Sequence, residues 1–186
     1  MKFHKNVFLL ALVWIIAAPN VHAGLLGHQV LEEWVFPNTS NVIQSQIVTV
    51  TNGIELPGSM IQYSGDLFDI DIGDDYVKFI FKAFTNFQTE SANGFRFTDI
   101  TGGITITGYT ISYITPGISG VTQEDLSFTA NSVYGNFGGS TALYMPLTNG
   151  GIVELHVSSV PEPGTMLLLG SGLFGLVGYG RRMMRK

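Results

Sequence analysis

Between Gly24 and Ser158 apolar and polar residues alternate with a period of two. Ile70 and Ile72 alternate with Asp69 and Asp71, and Val153, Leu155 and Val157 with Glu154 and His156. Val77, Phe79 and Phe81 alternate with Lys78 and Lys82, Ile80 being the exception. Successive side chains of a strand point to opposite faces, so the pattern predicts half-buried antiparallel strands. Val48–Thr51, Phe95–Thr98 and Leu126–Thr129 add β-branched and aromatic runs of strand length. Seventeen glycines punctuate the stretch, some in pairs such as Gly102-Gly103 and Gly138-Gly139, and no helical period of useful length occurs. The expectation is an all-β domain of about eight to ten short strands, a β-sandwich or jelly roll.

Two local patterns set register. Asp66 to Phe81 reads as a hairpin turning near Gly73-Asp74. A two- or four-residue loop places Ile70 opposite an apolar residue and an aspartate opposite Lys78, whereas a three-residue loop would set Ile70 against Lys78. In the run from Ile104 to Tyr113 the apolar phase moves from even to odd positions at Gly108, which predicts a bulge or kink there.

The two ends have a different pattern. Met1–Ala23 has Lys2 and Lys5 ahead of an apolar run from Val7 to Ala18, then Pro19-Asn20, then Val21-His22-Ala23. This is the order of a signal peptide, with cleavage between Ala23 and Gly24. Residues 159–186 open on Val160-Pro161-Glu162-Pro163 and continue into the uncharged run Thr165–Gly180, closed by Arg181, Arg182, Arg185 and Lys186. As a helix those sixteen residues span ~24 Å, short of a ~30 Å hydrocarbon core, and snorkelling arginines make up part of the difference. The basic end predicts a cytoplasmic C-terminus, with residues 24–158 as an extracytoplasmic domain. Gly172, Gly175 and Gly178 fall on one face and weaken the helix.

With the ends set aside, charge becomes informative. Residues 24–158 hold three basic side chains (Lys78, Lys82, Arg96) and thirteen acidic ones, a net charge of −10. Such a domain repels nucleic acid and attracts cations. The chain has no cysteine, which removes disulfides, thiol nucleophiles and thiolate-bound zinc.

The cluster Asp66, Asp69, Asp71, Asp74 and Asp75 is the candidate calcium site, since calcium takes six to eight oxygens from carboxylates and carbonyls. The calcium-loop pattern fails, however: counted from Asp69, Gly73 and Ile80 stand where Asp or Asn and then Glu are needed. The ordinary reading is a solvated strand face and a turn. Glu55, Glu90, Glu124 and Glu154 are possible members of a glycosidase carboxylate pair, which needs ~5–9 Å across a sugar that sequence spacing does not reveal. No Gly-x-Ser-x-Gly occurs, and His28 and His156 lack metal-ligand spacing. Trp34, Tyr109, Tyr113, Tyr134 and Tyr144 offer either sugar stacking or core packing, and the alternation favours the core. Leu56-Pro57-Gly58-Ser59 is a turn.

Pro-Glu-Pro, a short apolar helix and a basic terminus, in a chain with a signal peptide, resemble a PEP-CTERM protein. Val50–Glu55, Asp69–Ile72, Gly94–Ile100 and Asp125–Ser132 resemble phrases of the β-rich domains in that group. The resemblance implies recognition of Pro161-Glu162-Pro163 by exosortase, a membrane processing enzyme of Gram-negative bacteria. Tail removal and delivery to the surface or to an exopolysaccharide matrix would follow. It implies no shared activity of the domain, so the expectation is a non-enzymatic surface or biofilm-matrix protein. A carbohydrate- or calcium-binding module is the alternative, and a glycoside hydrolase a further one. Two prolines are expected to hold the motif extended and outside secondary structure.

Overall fold

The computed structural model describes residues 24–61, 65–142, 151–161 and 170–174. In chain order the strands are β1 (Gln29–Val35), β2 (Val42–Thr49), β3 (Ile54–Leu56), β4 (Phe68–Ile72), β5 (Tyr76–Phe81), β6 (Thr85–Asn86) and β7 (Gly94–Asp99). They continue with β8 (Ile104–Ile114), β9 (Ile118–Ser119), β10 (Leu126–Phe128), β11 (Ser132–Asn136), β12 (Thr141–Ala142) and β13 (Gly151–Pro161). Single 3-10 turns occupy Gly58–Met60 and Gln123–Asp125.

Ten of these strands form two five-stranded antiparallel sheets, ordered β10-β11-β7-β1-β2 and β3-β4-β5-β13-β8, and the three two-residue strands form a small third sheet. The alternation of apolar residues gives each large sheet one apolar face, and the two faces meet. Phe79 of β5 stands 5.4 Å from Phe95 and 6.2 Å from Phe97, both of β7, and 4.7 Å from Phe137. Phe68 of β4 reaches across to Phe95 at 5.5 Å. All-β architecture is therefore as expected, and its centre is phenylalanine. Each such buried ring contributes roughly 1.5–3 kcal/mol by removal from water.

The hairpin register follows side-chain parity. Ile70 pairs with Phe79 and Asp71 with Lys78. Gly73 N–H donates to Tyr76 C=O at 2.9 Å, so the loop is the two residues Asp74-Asp75, one position later than anticipated. The bulge at Gly108 is present: Ser158 faces Gly108 and Ser159 faces Ile106, passing over Thr107. Ile104, Ile106 and Tyr109 thereby all reach the core. A second bulge passes over Ser112 and returns the phase to even positions, leaving Tyr113 51% exposed.

The expected signal peptide (residues 1–23) lies outside the described residues. So do Gln62, Tyr63, Ser64, Tyr144, Glu162, Pro163, Arg181, Arg182, Arg185 and Lys186. Residues 170–174, inside the expected membrane segment 165–180, are helical. No helix among the described residues is long and apolar enough to cross a membrane.

Candidate functional site

The last strand carries the domain directly into the sorting tail. β13 runs three residues past Ser158, with Ser159 opposite Ile106, Val160 opposite Thr105 and Pro161 opposite Ile104. The expectation that both prolines lie outside secondary structure is thus corrected at Pro161. A proline closes a strand readily because its missing N–H is tolerated where the ladder ends.

On the other side β13 leaves β5 after His156, which pairs with Tyr76. Val157 N–H then donates to Asp75 C=O at 2.7 Å. The same turn holds the start of the domain: Leu25 N–H donates to Asp74 C=O at 2.8 Å, and Leu26 N–H to Asp74 Oδ1 at 3.1 Å. A side chain on Gly24 would collide with the Asp74 carboxylate, so glycine is what lets the chain lie against the turn. Chain entry at Gly24 and exit at Pro161 therefore lie at the same end of the sheets. Leu26, Ile100 and Val160 are exposed at that end.

The five aspartates do not converge. Asp69 is 7% exposed, not on a solvated face, because the Pro57–Ile61 loop covers it. Its Oδ1 accepts from Gly58 N–H at 2.7 Å and lies 2.6 Å from Lys82 Nζ, which also reaches Asp66 Oδ1 at 2.7 Å. Those two hydrogen bonds raise the Lys82 pKa. Gly58 sits so close to the Phe68 carbonyl that an added Cβ would lie 2.6 Å from it. Asp71 accepts from Tyr76 Oη at 3.3 Å while its Oδ1 is buried without a hydrogen-bond partner. Burial raises its pKa, and Lys78 opposes the rise. Asp74 and Asp75 form the turn that ties entry to exit, and Asp75 lies 3.6 Å from His156 Nδ1. Among the described residues no three His, Cys, Asp or Glu side chains are grouped to hold a metal ion.

The remaining candidates are dispersed as well. His28 Nδ1 lies 3.1 Å from Asp99 Oδ1, at the start of β1 and the end of β7. Glu154 pairs with Lys78 at 3.0 Å, and Glu55 accepts from Thr51 and from Ile72 N–H. Glu90 and Glu124 are exposed. Trp34 packs on Phe95 at 5.2 Å, and its Nε1–H donates to Asn93 Oδ1 at 3.2 Å. Tyr109 is buried.

Tyr134 is the aromatic that meets a groove. A cross-strand row on the outer face of the first sheet runs Ser127, Tyr134, Arg96, Glu33, Ser45. Arg96 Nε donates to Glu33 Oε2 at 2.7 Å. Beside this row a groove of about 190 Å³ is lined by Arg96, Ser127, Phe128, Thr129, Ser132 and Tyr134, with Thr39 at its margin. Tyr134 Oη is buried there without a hydrogen-bond partner. Burial raises its pKa and Arg96 opposes the rise.

Two residues were not singled out in the sequence. Phe128, inside the strand run Leu126–Thr129, is 47% exposed. Glu32 is fully buried, and its position could have been read from phase, since it shares a strand face with Val30 and Trp34. Gln46 Nε2 donates to Glu32 Oε2 at 3.3 Å, and Oε1 has no hydrogen-bond partner. Burial pushes the Glu32 pKa up to about 7, with Gln46 lowering and Glu33 raising it.

Residues 159–186 match the family model of the PEP-CTERM protein-sorting motif. The chain thus ends in the sorting signal of an exported protein handled by exosortase, and the matched stretch begins inside β13. No curated protein and no solved structure matches the chain.

Proposed function

We propose that the chain is a non-enzymatic surface or extracellular-matrix protein of an exopolysaccharide-producing bacterium, delivered there through its tail. The signal peptide exports the domain, and Thr165–Gly180 holds it in the cytoplasmic membrane until exosortase acts at Pro161-Glu162-Pro163. The observation that carries this reading is the sorting motif, with its basic stop, joined to the domain without a linker. From Pro161 to Thr165 an extended chain reaches at most ~14 Å, so the end of the sheets bearing Gly24 and Pro161 works close to the membrane. The test is Glu162→Ala in a host that carries exosortase. The variant is expected to keep its tail and stay with the membrane fraction; processing and release equal to the native protein would sink the reading.

A second reading adds polysaccharide binding, favoured by the groove beside Tyr134. Sugars offer apolar C–H faces and hydroxyls, which Phe128, the Tyr134 side chain and the Ser127 and Ser132 hydroxyls complement. At about 190 Å³ the groove is smaller than the ~300–1,000 Å³ of drug-sized pockets, so it suits a single sugar unit of a longer chain. Phe128→Ala is expected to weaken retention of the protein by its matrix polysaccharide; unchanged retention removes this second role.

A further inference from the structure

The four outer edges of the two large sheets are β10, β2, β3 and β8. An open edge presents unpaired N–H and C=O groups and is normally shortened, charged, bulged or covered. β10 and β3 are three residues each. β8 is bulged twice, and the Gln123 side chain caps it, Nε2 donating to Tyr109 C=O at 2.9 Å while Oε1 accepts from Ile111 N–H at 3.1 Å. β2 is longer than β3 and β10: its eight residues Val42–Thr49 contain no charge, proline or glycine, its bulge at Ile43 and the Gln44 Nε2 bond to Met60 C=O at 3.4 Å lie toward its first end, and no described strand lies beyond it.

Seven of the eight residues of β2 also form a sequence that is its own reverse. Val42-Ile43-Gln44-Ser45-Gln46-Ile47-Val48 reads the same from either end about Ser45. A strand that pairs antiparallel with a second copy of itself places residues equidistant from the centre opposite each other. With the centre at Ser45, serine meets serine, glutamine meets glutamine and isoleucine meets isoleucine.

Backbone parity agrees with that centre. Val50 turns both its N–H and its C=O toward the β1 side, bonding His28 C=O and Gly27 N–H at 2.9 Å each. Hydrogen-bonding direction alternates along a strand, so Ser45, Ile47 and Thr49 direct their backbone groups to the open side. All three are exposed, Ile47 at 59%, as is Val42 at the start of the strand. The ladder to β1 is regular from Gln44 to Thr49 and passes over Ile43, which is where a two-fold ladder would depart from regular geometry.

The geometry points to β2 as a self-association edge: a second copy of this chain adds antiparallel across a two-fold axis at Ser45, joining two five-stranded sheets into one of ten. Matched Ile43–Ile47 pairs on the outer face and Gln44–Gln46 pairs on the inner face set the register.

The absence of cysteine makes the test clean. Full-length protein in detergent is expected to sediment as a dimer of chains, and Ile47→Lys, an exposed position on the outer face, as a monomer with an unchanged circular dichroism spectrum. In single-cysteine variants a short bifunctional thiol reagent is expected to join Ser45→Cys to its copy but not Ile47→Cys, whose two copies would stand roughly 14 Å apart, four residues at ~3.4 Å each. Ile43→Cys mixed with Ile47→Cys should give the mixed product. Equal sedimentation of the native protein and Ile47→Lys would overturn the edge. A dimer joined at residue 47 and not at 45 would overturn the Ser45 register.

Discussion

Pro161, the first proline of the sorting motif, stands directly opposite Ile104, the first residue of β8. The signal that the processing enzyme must read therefore begins as part of the sheet. Ile104 is a core residue at 5% exposure, so the pairing is backed by packing as well as by the ladder. Strand ends open locally at low cost compared with the whole domain.

That pairing predicts a lockable gate. Val160 and Thr105 are opposite each other, so Val160→Cys with Thr105→Cys can be bridged across the ladder. If processing requires β13 to peel from β8, oxidation should slow tail removal by about tenfold or more, the factor that ~1.4 kcal/mol of opening free energy represents. The measurement is the rate of the size shift with and without reductant. Equal rates would mean that the enzyme reads the paired strand.

Glu32 makes stability depend on pH in the direction opposite to a salt-bridged carboxylate. Burial pushes its pKa up to about 7 from the ordinary 4.5, so its contribution to stability is fully present below pH 4.5 and is lost as pH rises through 7. The loss is roughly 3 kcal/mol for a shift of this size. Glu32→Gln should remove that slope and melt higher than the native protein at pH 8, as thermal denaturation will show. Parallel pH profiles for the two proteins would contradict the assignment.

Asp69 carries a different load. Asp69→Ala leaves Gly58 N–H without its acceptor and Lys82 with one fewer carboxylate, and should cost about 1–3 kcal/mol in denaturant unfolding. Because these aspartates already serve Gly58, Lys82, Tyr76 and the chain ends, EDTA is expected to leave the melting temperature unchanged. A rise in melting temperature on adding calcium would restore the cation reading.

The second bulge of β8 divides two tyrosines that look alike in sequence, leaving Tyr109 in the core and Tyr113 at the surface. Tyr113→Ser should lie within about 0.5 kcal/mol of the native protein because the side chain is exposed. Phe79→Ala, at the meeting point of four phenylalanines, should cost about 3–5 kcal/mol. A loss at Tyr113 approaching that at Phe79 would mean that its side chain faces the core and would place the second bulge elsewhere.

What could be read in the sequence was whatever parity controls. That Ile70 faces an apolar residue, that an aspartate faces Lys78 and that Gly108 carries a bulge all follow from which face an apolar side chain must take; which residues pair depended on the loop length. Parity was silent where a loop intervenes: nothing in Phe68-Asp69-Ile70 tells that Pro57–Ile61 folds over Asp69. It was misleading at Tyr113, because Ser112 bulges without a glycine to announce it. The Tyr134 groove combines side chains of β7, β10 and β11 that are adjacent only once the sheet order exists. The sorting tail was legible because its signal is linear, but its start inside β13 depends on β8, fifty-odd residues away in the chain.

The position of β13 has a mechanical consequence. Tension applied through the tail enters at Pro161 and runs along an eleven-residue strand that has β5 on one flank and β8 on the other. Antiparallel hydrogen bonds lie perpendicular to the strands. A pull along β13 therefore shears many of them at once, whereas a pull on an edge strand would open them singly. A tether at the tail would thus grip the domain by a strand flanked on both sides rather than by an edge.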